Sequence, residues 1–86
     1  MRFGVQFNGN VPGGATRRWS THSWSEAFNV IWEMVPTSPA SSGPAQLEWK
    51  VQNTRQTGSL VTWFIEVKNL TATPVDFQAR YAILNA

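Results

Sequence analysis

The sequence predicts an all-β fold, a small antiparallel β-sandwich of about six strands in a single domain spanning residues 1–86. Three observations carry that expectation. Apolar residues recur at every second position in several runs, Gly- and Pro-rich breaks separate the runs, and aromatic and β-branched types dominate the apolar set. Several strands that each carry one apolar face need a covering layer, so two packed sheets follow more naturally than one open sheet.

The first strand is expected over 2–8, where Phe3, Val5 and Phe7 share one face and Arg2, Gly4, Gln6 and Asn8 the other. Residues 9–16 hold three glycines and a proline and read as a loop. A second strand follows over 17–23. Residues 24–35 fit two patterns. Trp24, Ala27, Phe28, Ile31, Trp32 and Val35 lie on one helical face, and Ser23 with Glu26 matches a capping box. Phe28, Val30, Trp32 and Met34 also alternate, and the aromatic and β-branched content favours a strand over 28–35. The alternative fold is therefore α+β, with one short helix near 24–35. Three prolines within 36–44 make a second loop.

The last three strands are expected over 46–53, 60–68 and 75–84. A hairpin about Gln56 sets Trp49 opposite Trp63, Val51 opposite Val61 and Leu47 opposite Ile65. A turn through Asn69 to Pro74 then sets Ile65 opposite Phe77, Trp63 opposite Ala79 and Val61 opposite Tyr81. This reading gives a three-stranded meander that the N-terminal half covers, with Trp49 and Trp63 in the core.

Composition narrows function. A chain of 86 residues buries only roughly 60 to 65% of its unfolded surface, and with no cysteine it has no disulfide to tighten the fold. Self-association is therefore expected to add stability, and a homo-oligomer is the expected state. Aromatic residues make up 13% of the chain and charged residues 14%, so some of the rings are expected at the surface. Residues 1–20 lack the apolar run of a signal peptide, and no stretch approaches the ~18 apolar residues of a membrane span. The expectation is a soluble chain with no export route, and nothing in the sequence specifies a cellular location.

Catalysis needs convergent titratable groups, but His22 is the single histidine and the acids Glu26, Glu33, Glu48, Glu66 and Asp76 are scattered. No enzyme activity is expected. One histidine without thiols makes no metal site, Gly13-Gly14 lacks the Lys-Ser/Thr of a phosphate loop, and nothing calls for a cofactor. Asn69-Leu70-Thr71 matches a glycosylation acceptor, but Asn and Thr at that point read more simply as turn chemistry.

Recognition-type side chains gather densest between Arg17 and Trp24. Arg17, Arg18, Trp19, His22 and Trp24 are the candidate ligand-binding set, because indoles stack on the C–H faces of sugars while Arg and His direct hydrogen bonds to hydroxyls. A strand with core indoles and solvated Arg is the competing structural reading of the same residues. With a net charge of +2 and only two adjacent arginines, nucleic acid is disfavoured as a partner. The expected function is a non-catalytic, lectin-like carbohydrate-binding module that works as an oligomer. The alternative is a structural self-assembly protein without a small ligand, for which Leu60, Phe64 and Leu84 are the candidate contact residues, with Ala82 on the same nominal face.

Overall fold

The computed structural model describes residues 1–86 and contains six strands and no helix. They are β1 (Arg2–Val11), β2 (Thr16–Ser25), β3 (Val30–Ser38), β4 (Leu47–Thr57), β5 (Leu60–Asn69) and β6 (Val75–Ile83). All pairings are antiparallel and form two three-stranded sheets, ordered β1-β6-β3 and β2-β5-β4. The sheets pack face to face around Val11, Trp32, Met34, Leu47, Ile65, Val67, Val75, Phe77 and Ala79. The all-β sandwich expected from the alternation is the fold observed, and no helix is present to cross a membrane.

The region that fits both patterns is extended. Trp32 and Met34 are buried on alternate positions of β3, while Trp24 and Ser25 belong to β2. Ser23, the expected helix cap, instead sits in a bulge of β2 with φ of 68°. Cross-strand packing of Val30, Trp32 and Met34 against Ile83, Tyr81 and Ala79 decides the matter in favour of the strand.

Three details of the expected pairing are corrected. The hairpin turns at Gly58, with φ of 51°, and not at Gln56. Trp49 consequently faces Val67, Val51 faces Ile65 and Leu47 faces Asn69. Gln56 lies within β4, where its side-chain oxygen accepts a hydrogen bond from Thr62 Oγ1. Only a residue tolerant of positive φ makes so tight a turn, and Gly58 is the glycine available there.

The meander does not form, because both edges of β5 are already taken, by β2 and β4. Residues 70–74 instead carry the chain from one sheet to the other, and β6 pairs with β1 and β3. Asn69 fixes that crossing. Its fully buried amide donates to the carbonyls of Val11 and Thr73 at 2.9 and 2.8 Å and accepts from Thr71 N and Oγ1 at 2.8 and 2.7 Å. The side chain that matches a glycosylation acceptor is thus a turn anchor with all its bonding capacity used.

The third correction concerns β1. A bulge between Val5 and Phe7 inverts the alternation there, so Phe7 packs inward while Phe3 and Val5 face outward, 70% and 47% exposed. Gly4 and Gly9 face inward, beneath the side chains of Tyr81 and Phe77, where a Cβ would come within 2.5 Å of the Tyr81 hydroxyl and 2.6 Å of the Phe77 ring.

Candidate functional site

Strand β2 carries the expected ligand-binding set, and its alternation divides that set. Arg17, Trp19 and Thr21 pair with Val67, Ile65 and Trp63 and share their inward side, whereas Arg18 and Ser20 pair with Glu66 and Phe64 and face outward. Trp19 stacks on Phe7 with centroids 5.3 Å apart and meets Phe77 edge-on, also at 5.3 Å. The bulge at His22 and Ser23 returns Trp24 to the inward side. There its ring packs edge-on against Trp32 at 5.3 Å and Tyr81 at 5.2 Å, and its Nε1 donates to Thr21 Oγ1 at 3.0 Å.

The rings of Trp19 and Trp24 are therefore occupied by other rings, as the structural reading of that segment holds. Arg17 donates to the carbonyl of Asn10 at 2.9 Å and ties the edge of β2 to β1. His22 is exposed on the bulge, with Nδ1 2.9 Å from the Ser23 hydroxyl. Of the five candidates, Arg18 alone stands on the broad outer face of its sheet. Trp49 also departs from expectation. It lies on edge strand β4 and is 40% exposed, while Trp63 is half-buried against the core.

The outer face of the β2-β5-β4 sheet brings together residues from three strands. Phe64 sits on the central strand between Ser20 and Gln52, and the next cross-strand row is Arg18, Glu66 and Lys50. Phe64 is 43% exposed and lines a shallow depression of about 270 Å³ with Arg18, Ser20, Gln52 and Glu66. Arg18 Nε lies 2.8 Å from Glu66 Oε1 and Lys50 Nζ 3.8 Å from Glu66 Oε2. The hydrogen bond from Arg18 holds the Glu66 carboxyl below its ordinary pKa, helped by the charges of Lys50 and Arg18 and opposed by partial desolvation.

This arrangement presents one exposed apolar ring with polar side chains on both cross-strand sides. Gln52 and Ser20 both donate and accept, Glu66 accepts, and Arg18 and Lys50 donate. Arg18 and Phe64 are candidates from the sequence for different reasons, whereas Ser20, Gln52, Glu66 and Lys50 are not among its candidates and join the two through the registers of two strand pairs. No group of three or more His, Asp or Glu side chains lies close enough to hold a metal ion. The other self-association candidates are divided. Leu60 alternates with Phe64 along β5, whereas Leu84 follows β6 and lines a separate depression with Asn53, Val61 and Trp63. No protein-family model matches the sequence, and no curated protein or solved structure matches the chain.

Proposed function

We propose that this chain is a non-catalytic carbohydrate-binding module whose site is the outer face of the β2-β5-β4 sheet, with Phe64 as the stacking platform. The observation that carries the reading is an exposed ring at the centre of a sheet face, with hydrogen-bonding side chains on both cross-strand sides. The C–H face of a sugar ring buries apolar area on such a platform, while its hydroxyls need donors and acceptors around the rim. Gln52, Ser20, Glu66 and Arg18 provide both. A carboxyl group serving as general acid in glycoside cleavage needs a raised pKa, whereas that of Glu66 is lowered and the group is engaged by two cations. Glu66 is therefore read as a hydrogen-bond acceptor for the ligand.

A single shallow site binds weakly, and multiple copies turn weak sites into useful avidity. The module is accordingly proposed to act as an oligomer. A glycan array with wild-type protein and Phe64→Ala tests the reading. At least one glycan is expected to bind, with affinity little changed by added salt, and Phe64→Ala is expected to weaken it at least about tenfold. Because Phe64 is 43% exposed, the same substitution should change stability by no more than about 1 kcal/mol. Unchanged binding by Phe64→Ala, or a silent array with folded protein, would overturn the proposal.

A further inference from the structure

One end of the outer face of the β1-β6-β3 sheet is apolar where a solvated sheet face is ordinarily polar, while the other end carries Asn8, Gln78, Asn10 and Asp76. Phe3, Ala82 and Ile31 form one cross-strand row, and Val5, Arg80 and Glu33 form the next. Phe3 is 70% exposed, Ile31 55% and Val5 47%. Large side chains on both edge strands with alanine between them bound a groove of about 440 Å³.

The charges within this patch indicate what covers it. Glu33 and Arg80 are cross-strand neighbours, but they form no ion pair, and Arg80 Nε donates instead to Gln78 Oε1 at 3.1 Å. The patch thus holds one carboxylate and one guanidinium, each without an ionic partner, on an apolar ground. Such a surface is its own complement, because a two-fold rotation brings each charge onto its opposite while apolar side chains meet apolar side chains.

We infer that this face joins two copies of the chain back to back, with Glu33 of each copy paired with Arg80 of the partner subunit. The bulge in β1 is what supplies the surface, since regular alternation would have turned Phe3 and Val5 inward. The inference does not depend on the saccharide site. It does place the two Phe64 faces on opposite sides of the dimer, on the order of 30 Å apart across three sheet-to-sheet spacings. A dimer of that form bridges two glycan-bearing surfaces.

Sedimentation equilibrium of the full chain tests the inference. The expected mass is twice the 9.6 kDa of one chain. Phe3→Ser, at a side chain mostly in solvent, should retain the fold and weaken dimerisation at least about tenfold. Glu33→Arg and Arg80→Glu should each be monomeric, because each sets like charges together twice. An equimolar mixture of the two variants should recover the dimer, since both cross-chain pairs are then of opposite sign. A monomeric wild type, or a dimer undisturbed by Phe3→Ser, would overturn the inference whether or not the charge variants fold. Monomeric charge variants that stay monomeric when mixed would overturn the pairing. Glycan binding measured on the monomeric Phe3→Ser protein separates this outcome from failure of the saccharide site.

Discussion

Glu66 shows how one side chain conditions the proposed site. Its carboxylate is held by the Arg18 hydrogen bond at 2.8 Å and by Lys50 at 3.8 Å, and its pKa is lowered. A lowered pKa in the folded state means that this stabilisation is present above the ordinary carboxylate range and is lost as pH falls through the lowered value. Saccharide affinity should therefore be constant near neutral pH and begin to fall at a lower pH than it would for an unpaired carboxylate. In Arg18→Ala the largest cause of the shift is gone, so the fall should begin at higher pH. Affinity measured against pH for both proteins checks this, and coincident profiles would show that Glu66 takes no part in binding. The tryptophans are a different matter at the same scale. The sequence places Trp63 in the core, but for Trp19 the pattern of β2 does not say which side faces the other sheet. The partners that settle it, Phe7 and Phe77, come from remote strands.

At the scale of elements, period-2 alternation and the breaks between runs locate five strands, while 24–35 fits a helix as well as a strand until its aromatic and β-branched content favours β3. Bulges and turns were not legible from alternation. The extra residue between Val5 and Phe7 has no signature in apolar pattern, since Phe3, Val5 and Phe7 alternate perfectly in sequence while splitting across the sheet in space. The hairpin register was legible in parity but not in position. Gly58 moves the partner of Trp49 from position 63 to 67, which keeps every side chain on its face. The bulge yields an unusual expectation. Removing one residue from a strand ordinarily exchanges its faces, but deletion of Gln6 should leave Phe7 inward and Val5 outward. The loss should be about 1 kcal/mol, from the 3.1 Å hydrogen bond of Gln6 Nε2 to Thr21 Oγ1. Thermal or denaturant unfolding of the deletion variant measures it, and a loss of several kcal/mol would mean that the bulge residue is structurally required.

At the scale of the whole molecule, the order of strands explains why the meander was a natural but mistaken expectation. β5 and β6 are adjacent in sequence and alike in pattern, but each is the central strand of its own sheet. Asn69 and the residues it binds make the crossing between them, and a side-chain anchor of this kind leaves no periodic trace. The same topology creates the candidate site, which draws Arg18 from β2, Phe64 and Glu66 from β5, and Gln52 and Lys50 from β4. It also places that site and the apolar face around Phe3 and Ile31 on opposite outer surfaces. The most direct test of the account is to titrate the tightest-binding glycan from an array into isotopically labelled protein and map the amide shifts. The account predicts that the largest shifts fall on Ser20, Gln52, Phe64 and Glu66, with little change on β1 and β3. Shifts centred on the β1-β6-β3 face, or on His22 and the bulge beside it, would contradict it.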